Sequence, residues 1–337
     1  MPDNEAGSGP VFAFTGQGSQ YPGMTAGLRE RHPRYRYFLD EASEALAAYT
    51  GVSVARLIAD ADPRVHETGF TQPGVFAVEY ALAATLAEQG VRPGAVIGHS
   101  IGEFAAAVSA GALGLPEAAL LVARRGALMQ RLPAGGGMLA VGGPPETCGD
   151  LLAAEPAVGF GAFNGPDATV LSGDGEALDR IAARLTARGV RSTRLRVSHA
   201  FHSELMRPML DEYRREAAAV SAGRALIPFY STVRGRLLGD EPLDADYWAD
   251  HVRSPVRFTE AAQQLLARVR PEVVVELGPK PVLCKLMDRM LSPTAADPGT
   301  VCLAAVRGER TGPAELAELV ERLRGAAAHA RVGALPG

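Results

Sequence analysis

Lysine is almost missing from this chain: Lys280 and Lys285 are the only two among 337 residues, and arginine supplies the rest of the 34 basic side chains. Against 38 acidic side chains the formal charge is −4. A balance that close to neutral argues against a nucleic-acid binder or a polybasic membrane binder, whose affinity would come from clustered cations. Cysteine is also scarce. Cys148, Cys284 and Cys302 are odd in number and widely spaced, which rules out a disulfide framework and a CxxC metal or redox site and fits a reducing compartment. No uninterrupted apolar run spans a bilayer, since the longest, around Phe104 to Met129, is broken by Pro116, Glu117, Arg124 and Arg125. The first ten residues are acidic and Gly-rich rather than basic and then apolar, so no signal peptide is expected and the predicted location is cytoplasmic. What remains is ordinary globular material, 47% apolar and 21% charged. Its length suits two domains or one large α/β domain with an insertion.

Short β-branched runs alternate with longer helical ones. Val11 to Thr15 reads as a strand ending in the turn Gly16-Gln17-Gly18, and Ala95 to Ile97 as a strand running into Gly98-His99-Ser100-Ile101-Gly102. Arg34 to Tyr49, Pro73 to Gln89, Glu103 to Gly111 and Pro116 to Arg131 read as helices, the second opening on its proline. This alternation predicts a parallel sheet covered by helices on both faces. After the break Pro133-Ala134-Gly135-Gly136-Gly137 the rhythm changes. Met138 to Val141, Pro145 to Ala154, Val158 to Phe163, Thr169 to Ser172, Glu176 to Arg188 and Ser192 to Val197 follow the order βαββαβ, that of a ferredoxin-like unit. From Pro208 the first pattern returns, with Lys280 to Leu291 among its helices. The predicted fold is α/β, with residues 1–134 and 208–337 forming the larger subdomain and 135–207 a small inserted one.

Gly98 to Gly102 fits G-x-S-x-G between a short strand and a helix. Flanking glycines permit a sharp turn with Ser100 at its apex, and the following N–H, that of Ile101, can face an oxyanion. The competing reading is a serine N-cap. A nucleophilic serine needs a base, and seven histidines are available. His32, His66 and His329 fall in segments read as surface. His99 adjoins the serine but points away on a tight elbow, so a structural role is expected. His199 and His202 follow the insert's last strand, where either could overhang the site, and the residues alone do not choose between them. His251 fits a buried or a supporting position. No acid stands out as a third member: Asp174 and Asp179 read as a turn and a solvated helix face, so a backbone carbonyl could orient the imidazole instead. Arg125 lies in an otherwise apolar helix beside Arg124, and adjacent residues cannot share a face. One should be solvated and the other inward. The inward guanidinium either pairs with Glu103 or forks around a substrate carboxylate.

These motifs together identify a resemblance. Phe14-Thr15-Gly16-Gln17-Gly18-Ser19-Gln20, Gly98-His99-Ser100-Ile101-Gly102-Glu103, Arg125-Gly126, Phe163-Asn164-Gly165-Pro166, His199-Ala200-Phe201-His202-Ser203, Tyr247-Trp248 and Glu276-Leu277-Gly278-Pro279 stand in the order and spacing of the malonyl-CoA:acyl-carrier-protein transacylases. The chain is most similar to the acyltransferases of modular polyketide synthases, and the likeness runs from Val11 to about Arg324. It implies an α/β-hydrolase-like core with the ferredoxin-like insert. Ser100 would be the acyl-accepting nucleophile and His202, rather than His199, the general base. The backbone N–H groups of Gln17 and Ile101 would form the oxyanion hole, Arg125 would hold a malonyl carboxylate, and Asn164 would support the site. His251 would orient the base through its own carbonyl. The form His-Ala-Phe-His resembles malonyl-selective members, with Phe201 filling the space a branching methyl needs. One methyl discriminates by only about 1–3 kcal/mol.

The implied substrates are malonyl-CoA and the phosphopantetheine thiol of an acyl carrier protein, with no bound cofactor or metal and neither nucleic acid nor membrane as partner. Carrier proteins are usually acidic, so Arg184, Arg188 and Arg191, with Arg180 and Arg194 beside them, could form part of a dock. Their alternative is a solvated helix face. Rival readings are an editing hydrolase or thioesterase with the same Ser–His site, transfer of another acyl group between two carrier proteins, and a silent docking module. The length leaves no room for synthase neighbours, so a discrete enzyme acting in trans is expected, with an excised domain as the alternative.

Overall fold

The computed structural model describes residues 9–221, 223–291 and 299–332, with no account of side chains beyond 325. The acidic opening read from Met1 to Pro10 therefore lies almost wholly outside the described residues, as does the side chain of His329. In chain order the strands are β1 (Val11–Phe14), β2 (Ala95–Gly98), β3 (Gly136–Val141), β4 (Val158–Gly165), β5 (Ala168–Asp174), β6 (Ser192–Arg194), β7 (Phe229–Ser231), β8 (Arg236–Leu238), β9 (Val273–Leu277) and β10 (Val301–Ala304).

The larger sheet has the order β10-β9-β1-β2-β7-β8, parallel throughout except for the β7–β8 hairpin at its edge. Its central strands β1, β2 and β9 are buried at every position, as expected of a parallel sheet covered on both faces. The helix Thr68–Glu88 packs so deep that even its polar Thr68, Thr71, Gln72 and Glu79 are buried. The second sheet, β4-β5-β3-β6, is antiparallel. With the helix Gly175–Ala187 and the two short turns of helix from Pro145 to Ala154 it has ferredoxin-like connectivity and its own small apolar core. The two sheets are stitched together by a short parallel bridge: Phe163 N–H donates to the Val256 carbonyl (2.8 Å) and Val256 N–H to the Gly161 carbonyl (3.0 Å).

Several boundaries differ from the sequence expectations. Pro73 does not open its helix but lies inside it, five residues after the start at Thr68. There the ring removes the N–H that would bond the Gly69 carbonyl, and tertiary burial overrides the cost. Only Leu283–Met287 of the stretch Lys280 to Leu291 is α-helical. The Glu276 carboxylate explains where that helix begins, because it accepts from the N–H groups of Val282, Leu283 and Cys284 at 2.6, 2.8 and 2.8 Å. β6 ends at Arg194 rather than Val197, and the chain then peels away with Leu195 and Val197 facing a cavity. The helix Ala245–Arg253 and strand β8 were not anticipated; both are short, and the periodicity of so few residues is weak.

Candidate active site

In an open parallel sheet, loops at the carboxyl ends of the strands gather into a crevice. Here β1 delivers Thr15-Gly16-Gln17, β2 delivers His99-Ser100, β7 delivers Thr232 and β9 delivers Gly278. Small residues at these ends are sterically required. A Cβ on Gly98 would lie 2.4 Å from the Glu103 amide nitrogen, and one on Gly102 would lie 2.4 Å from the Phe14 carbonyl oxygen. The turn they permit puts Ser100 at φ +50°, in the left-handed region, just before the helix Gly102–Ser109. The side chain of Ser100 caps nothing. Instead its Oγ lies 2.7 Å from His202 Nε2. His202 is itself left-handed, at φ +58°. Such conformations cost on the order of 1–3 kcal/mol apiece and persist where surrounding structure over-determines them.

The second ring nitrogen, His202 Nδ1, donates to the Ser254 carbonyl at 2.9 Å. This fixes the tautomer that leaves Nε2 free to accept from the serine hydroxyl. The orienting carbonyl therefore belongs to the residue that ends the helix Ala245–Arg253 and not to His251, which corrects the expectation. His251 serves differently. It is buried, and its Nε2 donates to the carbonyl of Ser100 itself at 2.9 Å. Neither backbone N–H of Gln17 or Ile101 is taken by a hydrogen bond among the described residues.

Arg125 is buried, whereas Arg124 is exposed beside Glu216. The expected alternative of an Arg125–Glu103 pair does not form. Arg125 Nη1 donates to Gln72 Oε1 (2.7 Å) and Nη2 to Ser100 Oγ (3.2 Å), while its Nε has no partner. Glu103 turns to Thr232 and Tyr247 instead. Gln72 is fixed in turn, its Nε2 donating to Thr68 Oγ1 (3.1 Å), which donates to the side-chain oxygen of Gln17 (3.0 Å). Sequence reasoning missed Gln72. With the helix read from Pro73, Gln72 falls in the preceding segment, where nothing local marks it.

The remaining residues are placed plainly. His99 reaches across to Asn164 on β4, Nε2 to Oδ1 2.7 Å, joining the elbow to the small sheet. His199 does not join the serine: its nitrogens bond Ser198 Oγ and the Leu132 carbonyl. Asp174 caps the helix Gly175–Ala187 by accepting from Ala177 N–H, and exposed Asp179 lies near Arg194. Arg188 is committed to Asp150 through both of its terminal nitrogens, and Arg180 to Glu155. The expected basic face is thus largely an ion-pair lattice, with Arg184 and Arg191 outside it. A cavity of about 220 Å³ opens over Ser100, His202 and Arg125. Gly16 to Gly18, His99 and Asn164 supply its polar rim, and Met138, Val170, Leu195, Phe201, Val256 and Leu286 line an apolar wall.

The electrostatics favour a neutral base. Burial first, then the charge of Arg125 and the neighbouring His99, lower the His202 pKa to about 3. Burial likewise lowers Arg125 to about 10, still fully charged at neutral pH. An unperturbed imidazole, near 6.5, would lose most of its basic form by about pH 5. Because kcat/KM reports groups of the free enzyme, its value for serine acylation is expected to stay level between about pH 8 and pH 5. A roughly tenfold or greater fall across that range, measured by stopped-flow, would show a base with an ordinary pKa.

Comparison with known proteins decides what family holds such a site. The acyl transferase domain profile matches residues 11–330. The chain belongs to the acyl transferase domain family. This acyltransferase is 41% identical over 311 residues to the mycoketide-CoA synthase of Mycobacterium tuberculosis, covering 92% of the chain but 7% of the relative. It is 40% identical to polyketide synthase GfsB of Streptomyces halstedii, covering 90% of the chain and 6% of that protein. It thus corresponds to a small part of these long synthases. Among solved structures, the acyltransferase domain from the second module of the salinomycin polyketide synthase superposes with a TM-score of 0.86 at 39% identity, covering 97% of this chain and 76% of that one. A malonyl-CoA:acyl carrier protein transacylase of Xanthomonas oryzae pv. oryzae gives 0.81 at 31% identity, covering 94% and 98%. Among the described residues no helix is long and apolar enough to cross a membrane.

Proposed function

We propose that this acyltransferase moves a malonyl group from CoA, through an acyl-serine on Ser100, to the phosphopantetheine thiol of an acyl carrier protein in polyketide assembly. The observation that carries the reading is the buried Arg125 guanidinium, 3.2 Å from Ser100 Oγ and without an acidic partner among the described residues. A buried cation lacking a counter-ion beside a nucleophile suits a substrate that brings its own carboxylate. His202 takes the proton of Ser100 as Oγ attacks the thioester carbonyl. The N–H groups of Gln17 and Ile101 receive the oxyanion, CoA leaves as its thiol, and the carrier thiol then repeats the sequence on the acyl-serine with His202 again as base. Residues 135–207 act as a small subdomain folded over the site, with 1–134 and 208–337 as the body that holds it. Ser–His chemistry needs no bound cofactor. Carrier docking would draw on Arg184 and Arg191 more than on the ion-paired Arg188.

Phe201 lines the cavity beside His202, so malonyl should be preferred over methylmalonyl, by about 10–200-fold for one methyl group. Incubation with a panel of acyl-CoAs followed by intact-protein mass spectrometry tests both points. A malonyl adduct on Ser100 that forms faster than methylmalonyl or acetyl is expected. Equal labelling by acetyl-CoA would remove the case for a carboxylated donor. Replacing Phe201 with Ser should narrow the malonyl–methylmalonyl gap, and an unchanged gap would place the selectivity elsewhere.

A further inference from the structure

The Ser100–His202 pair is assembled from distant parts of the chain, and one buried carboxylate touches the structures that hold both halves. Glu103 follows the elbow by three residues and is fully buried. Its Oε1 accepts from the Thr232 N–H at 2.5 Å and lies 2.7 Å from Thr232 Oγ1, which is also 3.1 Å from the Gly98 carbonyl just before the nucleophile. Its Oε2 accepts from the Tyr247 hydroxyl at 2.6 Å, and that hydroxyl is fixed from its other side by Ser231 Oγ at 2.8 Å. Tyr247 stands on the helix Ala245–Arg253. The same helix presents His251 to the Ser100 carbonyl and ends at Ser254, whose carbonyl orients His202. Phe104, next to Glu103, stacks on Trp248 of that helix at 4.1 Å between ring centroids.

We propose that Glu103 is a positioning residue, which sets the Ser100–His202 reacting distance by tying the nucleophile's elbow to the helix that orients the base. It touches none of the reacting atoms and acts through its hydrogen bonds to Thr232 and Tyr247, with His251 Nε2 3.9 Å from the same carboxylate oxygen that Tyr247 bonds. The proposal rests on Ser100 and His202 being nucleophile and base, but not on which acyl group is carried. A misplacement of about 1 Å at a reacting pair can cost on the order of 10²-fold in rate.

A fluorophosphonate, which phosphonylates an activated serine with loss of fluoride, tests this without an acyl donor. Folded Glu103→Ala, verified by circular dichroism and thermal melting, should label about 10²-fold more slowly than wild type, with KM for malonyl-CoA within about threefold. Glu103→Gln should recover to within about fivefold of wild type. Its side-chain oxygen still accepts from Thr232, and its amide can donate to Tyr247 while that hydroxyl turns its proton to Ser231. Tyr247→Phe, which removes the hydroxyl that joins Glu103 to the helix together with its contact to Ser231, should slow labelling by about 3–10-fold. It decides the matter if Glu103→Ala does not fold, with Ser231→Ala, which loses the Ser231 contact but keeps the link to Glu103, expected to label at close to the wild-type rate. Wild-type labelling rates in Tyr247→Phe, or a glutamine variant as slow as the alanine one, would overturn the proposal. Labelling of Ser100→Ala at the wild-type rate would instead overturn the underlying Ser–His reading.

Discussion

Ser100→Ala is expected to eliminate acyl-enzyme formation and to lower carrier loading by on the order of 10⁵-fold or more, with His202→Ala close behind. Residues that act as one unit are not additive, and losing either member removes most of what the pair contributes. Ser100 is the only hydroxyl within hydrogen-bond distance of His202 among the described residues, so no neighbour can replace it. The fold should survive. Alanine removes one oxygen from a turn held by Gly98, Gly102 and the His251 contact to the Ser100 carbonyl. It leaves Arg125 Nη2 and His202 Nε2 each short of a partner, a loss of about 1–3 kcal/mol apiece if water does not enter. Carrier loading by radiolabelled malonyl-CoA and the melting temperature together check the expectation. Loading near the wild-type level in Ser100→Ala would mean that the acyl group never rests on this serine.

Arg125→Ala carries the second large effect, and its sign depends on the donor. With malonyl-CoA the acylation rate should fall by about 10²–10³-fold. That is the scale of removing a hydrogen-bonded cation from a buried carboxylate. With acetyl-CoA it should fall little or rise. Two features of the free enzyme argue for this asymmetry: Arg125 Nη2 donates to the very oxygen that must attack, and its charge is one of the causes that hold the His202 pKa down. A donor without a carboxylate meets both penalties and gains nothing in return. Malonyl-CoA engages the guanidinium and relieves them. Parallel single-turnover rates for the two donors measure the change. An equal loss for both would reduce Arg125 to a structural role and end the argument for a carboxylated substrate.

The legible parts of this site were those written into consecutive residues. The elbow around Ser100 could be read because a sharp turn demands glycine on both sides of the nucleophile, and the structure gives the steric reason in the 2.4 Å approaches at Gly98 and Gly102. The βαββαβ order of the insert could be read because its strand and helix runs are long enough for their periods to differ. The choice of His202 over His199 was not available from spacing. Both follow the same strand, and a left-handed residue at 202 turns one ring towards Ser100 while the other bonds the Leu132 carbonyl. Backbone contributions were harder still. The Ser254 carbonyl has no side-chain signature, which is why His251, a plausible ring at nearly the right place, drew the expectation instead. Gln72 and Glu103 act through partners 53 and 144 residues away, and separations of that size leave no local pattern. The ion pairs of Arg188 and Arg180 were equally out of reach, because Asp150 and Glu155 lie too far along the chain for their pairing to be seen in a helix-face count.

The central claim is that an acyl group passes through Ser100 on its way from CoA to a carrier. The most direct test isolates the malonyl-enzyme, removes free malonyl-CoA, adds a phosphopantetheinylated carrier protein, and follows both proteins by intact mass spectrometry. Loss of one malonyl mass from the enzyme matched by its gain on the carrier, at equal rates, is the predicted result. Decay of the adduct to free malonate at a rate indifferent to the carrier would contradict the account and identify a hydrolase.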